Sequence, residues 1–217
     1  MKTILCFGDS NTWGFDIDSY EPDTGAVRRM PYELRWPGAM ANLLGPAYRV
    51  IEDALNARTL MQEDRYFPMR RGLPALEMAL DAHAPLDLVI LHLGVNELKT
   101  MFSLSAGVIA LGMDKLAQAA QTSYYGYPAP KVLVIAPPPV PEEIADALFG
   151  FQFGPDAARK SREFAALYRE IARRRGCAFL DAGTLGFTLN HVDCLHYNPQ
   201  DHRKLAEAAA AKVRELL

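Results

Sequence analysis

A chain of 217 residues supplies enough material for one generous hydrophobic core, and a single domain over 1–217 is expected. Half of its residues are apolar and 23% are charged, an ordinary globular composition that excludes a disordered or low-complexity protein. A formal charge of −3, with basic clusters no longer than Arg28-Arg29, Arg70-Arg71 and Arg173-Arg174-Arg175, argues against nucleic acid or an anionic membrane as a partner. Cys6, Cys177 and Cys194 are widely spaced, with neither zinc nor redox spacing, and fit reduced thiols in a cytoplasm. No apolar stretch is long enough to span a membrane, so a cytoplasmic location is expected.

The first strand is the run Ile4-Leu5-Cys6-Phe7-Gly8, which reads as buried on both faces, and Gly8-Asp9-Ser10-Asn11 is a sharp exit from it. In open parallel sheets the ligand crevice lies beyond the carboxyl ends of the strands, so Ser10 would face it. The plainer reading is that Asp9, Ser10 and Asn11 cap whatever follows. Residues 16–35 show no sustained periodicity and read as a surface excursion. Trp36-Pro37 opens a short helix with Met40, Leu43 and Leu44 at helical spacing, stopped by Gly45-Pro46. Residues 48–52 are the second strand, 53–71 are irregular, and 73–83 form a helix.

Residues 86–93 are the clearest strand and end in another glycine turn, Gly94-Val95-Asn96-Glu97. Residues 105–122 are helical, and 131–136 are a fourth buried strand that Pro137-Pro138-Pro139 stops. A loop carrying Phe149, Phe151 and Phe153 follows. Residues 155–175 read as one helix, with Phe164, Leu167, Tyr168 and Ile171 on its apolar stripe and Gly176 as its cap. A short fifth strand spans 178–180, and Asn198-Pro199 starts a last helix. Strands alternating with helices predict an α/β fold, a three-layer α/β/α sandwich around a five-stranded parallel sheet.

A serine nucleophile needs a base, an acid that orients the base, and donors for the oxyanion. In Asp193-Cys194-Leu195-His196, the spacing lays a carboxylate beside an imidazole, free to accept from Nδ1 and leave Nε2 open. His92 reads as a core histidine inside a strand, His83 and His202 as helix-end surface residues, and His191 has no pattern. Clustered metal ligands are lacking, so no metal or cofactor is expected. Trp13, Phe15, Phe151 and Phe153 are candidates to line a substrate pocket. No glycine-rich phosphate loop follows the first strand, which argues against a nucleotide-binding protein. The Gly-x-Ser-x-Gly elbow of ordinary α/β-hydrolases is missing as well.

Gly8-Asp9-Ser10-Asn11, Gly94-Val95-Asn96-Glu97 and Asp193-Cys194-Leu195-His196 together resemble the first, third and fifth blocks of the SGNH (GDSL-like) hydrolases, in order, spacing and placement. The text around them is similar to the bacterial arylesterase and acyltransferase members. The resemblance implies the flavodoxin-like SGNH fold, with Ser10 as nucleophile, His196 as base and Asp193 as its orienting acid. It also implies an oxyanion hole made of the Ser10 N–H, the Asn96 amide and a backbone N–H after the second strand. Matching on Asn56-Ala57-Arg58 selects Ala57 for that last donor, with the register open, where the family usually has a glycine. Glu97 stands where the family usually has aspartate.

The activity so implied is that of a serine esterase acting on short-chain or aryl esters through an acyl-enzyme, with water or an alcohol as acceptor. Carbohydrate acetylesterase or thioesterase activity is the alternative within the family, and an inactive binding or scaffold module the alternative outside the enzymes. The related arylesterases and acyltransferases are oligomers, so a homo-oligomer is expected. The excursions 16–35 and 137–155 leave the carboxyl ends of strands and are expected to frame the site's mouth.

Overall fold

Side chains on a strand alternate between the faces of its sheet, so a strand apolar at every position must be covered on both. A computed structural model, which describes Met1–Leu217, shows this for β1 (Lys2–Gly8), β3 (Leu88–His92) and β4 (Lys131–Ala136). With β2 (Tyr48–Ala54) and β5 (Ala178–Asp181) they form one parallel sheet in the order β2-β1-β3-β4-β5. Leu5, Phe7, Val89, Leu91, Val132 and Val134 point to one face. That face is covered by α3 (Gly72–His83), α4 (Ala106–Ala120) and α7 (Phe164–Arg175). Ile4, Cys6, Leu88, Ile90, Leu133 and Ile135 point to the other, under α2 (Trp36–Leu44) and α8 (Pro199–Leu216). The sandwich is therefore three-layered, as the alternation of strands and helices predicts. No helix is long and apolar enough to cross a membrane.

Two readings of the sequence need correction. The segment 155–175 is not one helix but two, α6 (Asp156–Ser161) and α7, because the 3.6-residue apolar stripe begins only at Phe164. The Ser161 hydroxyl donates to Ala158 O at 2.8 Å and accepts from Val140 N at 3.0 Å, tying the end of α6 to the chain after β4. The excursions also carry structure of their own. Phe15–Asp16 pairs antiparallel with Arg28–Arg29, single 3-10 turns span Ile17–Ser19, Tyr32–Leu34 and Glu142–Ala145, and α5 is Gly150–Phe153. Such two- to four-residue elements lie below the length at which periodicity is visible.

Candidate active site

β1 stops at Gly8 because the chain turns back immediately into α1 (Ser10–Trp13): a Cβ on Gly8 would sit 2.0 Å from Thr12 Oγ1. Asp9 caps α1, its Oδ1 accepting from Asn11 N at 3.0 Å, and Ser10 is the first residue of the turn. Two residues beyond β3 the chain turns in the same way at Gly94, whose φ of 127° and approach to the Tyr168 hydroxyl exclude a side chain. A 3-10 turn, Val95–Leu98, then presents Asn96. β1 and β3 are neighbours, and the strand order reverses between them, at the point where α/β sheets open a crevice.

His196 arrives from the turn before α8. Asp193 Oδ1 accepts from the Leu195 and His196 N–H groups, each at 3.0 Å, and Asp193 Oδ2 accepts from His196 Nδ1. Because the carboxylate only accepts, the ring proton sits on Nδ1 and the Nε2 lone pair faces Ser10 Oγ at 2.9 Å. All three side chains are buried. Burial pushes the Asp193 carboxyl up, but the hydrogen bond and charge of His196, with the two N–H donors, outweigh it and hold the group below the usual carboxylate value. Asp9 goes the other way. Its burial outweighs the Asn11 N–H and the nearby His196 and Arg58 charges and raises it to about 6.

The loop after β2 closes the third side. Arg58 Nη1 donates to Gly8 O at 3.2 Å and Asp53 O at 2.7 Å, Nη2 reaches Asp53 Oδ1 at 2.8 Å, and the guanidinium lies over the Phe7 ring. The Arg58 carbonyl accepts from Asn96 Nδ2 at 3.0 Å, so one of the two Asn96 amide hydrogens is engaged and the other is left over. Ala57, just before, has φ 63°, and its N–H donates to no group of the protein. Glu97 Oε1 accepts from Leu60 N, while Oε2 is buried without a partner. Burial raises this carboxyl to about 8.

Of the aromatic candidates, Phe15 is stacked on the His196 ring at 4.3 Å between centroids, tilted by 15°. Phe149 meets the same imidazole edge-on at 6.3 Å and touches Tyr20, which in turn packs on Phe15. Phe151 and Phe153 are not in this group. Phe151 is 81% exposed and Phe153 is buried in the core, since a helical turn at Gly150–Phe153 points them in different directions. Trp13 is half-buried under the Arg29 guanidinium. His92 is a satisfied core histidine, its Nε2 2.8 Å from Tyr197 Oη, and burial lowers it to about 4. His202 is not a surface residue: it is fully buried, its Nδ1 accepting from Trp36 N at 3.2 Å.

Both excursions reach the histidine turn. Asp18 Oδ1 accepts from Asn190 Nδ2 at 2.9 Å, and Leu148 N donates to Val192 O at 3.1 Å. Tyr20 and Asn190 carry no motif that would single them out in the sequence. No group of three His, Cys, Asp or Glu side chains is arranged to hold a metal ion.

Solved structures share this fold. The chain is similar over 100% of both lengths to a carbohydrate acetylesterase from Sinorhizobium meliloti, at 39% identity and a TM-score of 0.90. It is similar to the same extent, 39% identity, 100% of both chains and TM-score 0.90, to the M. smegmatis aryl esterase. A carbohydrate acetylesterase family member from Sinorhizobium meliloti is 31% identical, with 100% of this chain and 99% of that one covered and a TM-score of 0.88. No curated protein sequence matches. The sequence profile of the GDSL-like lipase/acylhydrolase family matches residues 6–204. The chain therefore belongs to the GDSL-like lipase/acylhydrolase family, and with it to the carboxylic ester hydrolases.

Proposed function

We propose that the protein is a serine esterase in which Ser10 is the nucleophile, His196 the general base and Asp193 the residue that orients it. The observation that carries this reading is the unbroken chain from Asp193 Oδ2 through His196 to Ser10 Oγ at 2.9 Å. His196 Nε2 takes the hydroxyl proton as Oγ bonds to the acyl carbon, and the imidazolium that forms is stabilised by Asp193. The carbonyl oxygen becomes an oxyanion and meets the N–H groups of Ser10 and Ala57 and the free amide hydrogen of Asn96. Collapse breaks the ester bond, and the leaving alcohol departs with the proton from Nε2. A water or a second alcohol, deprotonated by the same nitrogen, then releases the acyl group as acid or as new ester.

The stacking of Phe15, with Phe149 at the ring edge, gives the imidazole an apolar flank suited to small acyl groups and to transfer to alcohols in competition with water. The esterase relatives suggest an aryl or sugar alcohol portion. We place the whole chain in one catalytic domain, working in the cytoplasm as a homo-oligomer on small-molecule esters, without nucleic acid or membrane. The assembly follows from the resemblance to oligomeric arylesterases and acyltransferases, and the exposed Phe151 ring is one apolar group it would cover.

A fluorophosphonate followed by intact mass and peptide mapping tests the central claim, with one adduct on Ser10 expected. Labelling elsewhere, or none, overturns it. Nitrophenyl esters from acetate to octanoate and acetylated sugars then sort the substrate, and light scattering at micromolar concentration reads the assembly, which a monomer would refute.

A further inference from the structure

We infer that Asn11 is a positioning residue whose side-chain amide fixes the backbone on both sides of His196 and so sets the imidazole against Ser10. The inference rests on the reading of Ser10 and His196 as the reacting pair. Asn11 follows Ser10 on α1 and is buried. Its Nδ2 donates to Leu195 O at 3.3 Å and its Oδ1 accepts from Tyr197 N at 3.0 Å. One amide thus holds the carbonyl before His196 and the N–H after it, as a neighbouring β-strand would.

The backbone groups nearest His196 are otherwise bonded within the turn. Leu195 N and His196 N go to Asp193 Oδ1, and His196 O accepts from Asn190 N at 2.8 Å. Apart from the Nε2 to Oγ contact, the two Asn11 bonds are the hydrogen bonds that join the serine turn to the histidine turn. α1 has four residues and little rigidity of its own, so the distance between nucleophile and base depends on what spans the two turns. Asparagine suits the place because it offers a donor and an acceptor on a short stem. Aspartate would keep the acceptor for Tyr197 and lose the donor to Leu195, and leucine would keep only the volume.

A displacement of about 1 Å between reacting groups costs on the order of a hundredfold in rate, which sets the scale. In Asn11→Leu, kcat for an aryl acetate should fall about 10- to 100-fold with KM within about threefold of wild type, and the rate of fluorophosphonate labelling should fall in parallel. Asn11→Asp should lie between the two. The decisive measurement is the same substitution in a His196→Ala background, where Asn11→Leu should change the labelling rate less than about twofold, because what it positions is gone.

An equal loss in both backgrounds, a kcat within about twofold of wild type, or an effect on KM alone would overturn the inference. So would loss of the fold, read by circular dichroism, in both Asn11→Leu and Asn11→Asp, which would make the amide a stability determinant. Ser10→Ala separates the two layers. If it keeps activity, the esterase site itself is misread; if it is inactive while the Asn11 variants match wild type, only the role of Asn11 fails.

Discussion

His196 and His202 are buried on either side of the start of α8, yet their surroundings make them opposites. His196 has a carboxylate on Nδ1 and a hydroxyl on Nε2. His202 accepts from Trp36 N on Nδ1, and its Nε2 has no partner; burial drives it down to about 3. Burial beside a single N–H donor leaves His202 with no group to take up or pass a proton, whereas the carboxylate and hydroxyl at the two nitrogens of His196 are what the proposed role as base requires. The buried carboxyls repeat the lesson. Asp193, bonded through both oxygens, is held low, while Glu97, bonded through one, is pushed up.

The largest expected effect tests the contrast directly. Ser10→Ala and His196→Ala should each lower kcat by about 10³- to 10⁶-fold and leave the fold intact, leaving the oxyanion donors and binding to supply the residual rate. His202→Leu should keep kcat within a few-fold while costing about 1–3 kcal/mol of stability, because the buried Trp36 N–H loses its acceptor. Steady-state kinetics beside urea unfolding reads both, and a His202 variant that is stable but inactive would break the comparison.

Next in size is Asn96→Ala, with kcat down about 10²- to 10³-fold and KM nearly level, since an oxyanion donor acts in the transition state. It also frees the Arg58 carbonyl, so Arg58→Lys, which keeps that carbonyl, is the control for loop movement. A pure KM effect in Asn96→Ala would assign the amide to substrate binding.

His92 and His202, buried away from Ser10, contribute to acid stability. His92 falls to about 4 and His202 to about 3 in the folded protein, against about 6.5 unfolded. The unfolded chain therefore binds more protons over that interval. Their contribution is fully present above pH 6.5 and is lost as pH falls through the folded values, at up to about 1.4 kcal/mol per pH unit for each group. Glu97 and Asp9, both raised, pull the other way over this interval, so the test is a difference: from pH 7 to pH 5 the urea midpoint of wild type should move downward relative to that of His92→Gln.

The strands, their order of appearance and the three motif turns were legible in the sequence, because continuous apolar runs and glycine turns leave a direct trace. What lay hidden depends on contacts between distant segments. His202 looked like a helix-end residue because no local pattern announces that Trp36 and Tyr197 close over it. Phe149, Phe151 and Phe153 alternate as a strand would, so only the turn at Gly150–Phe153 reveals that Phe149 alone of the three meets the imidazole. Asn11 looked like a cap, and its two bonds reach residues at the far end of the chain.

The smallest expected change in turnover concerns Glu97, and it sharpens the carboxylate half of the comparison. Its Oε1 accepts from Leu60 N, which steadies the loop carrying Ala57, and the unpartnered Oε2 lies where a negative charge has no compensation. Folded, the group rises to about 8 from an ordinary 4.5, so at neutral pH it is protonated in the native protein and ionised in the unfolded chain. Its contribution to stability is fully present below pH 4.5 and is lost as pH rises through 8. Glu97→Gln keeps the acceptor for Leu60 and cannot ionise, so the loss disappears. Urea unfolding should show Gln and wild type nearly equal at pH 4.5, with the variant ahead by about 1–3 kcal/mol at pH 7, while kcat stays within about threefold. Glu97→Asp, which restores the residue usual in the family, shortens the reach to Leu60 and should be tolerated in kcat if the side chain only props the turn. A Gln variant whose advantage does not grow with pH would mean that Glu97 is ionised in the folded protein, and that its buried oxygen has found a donor.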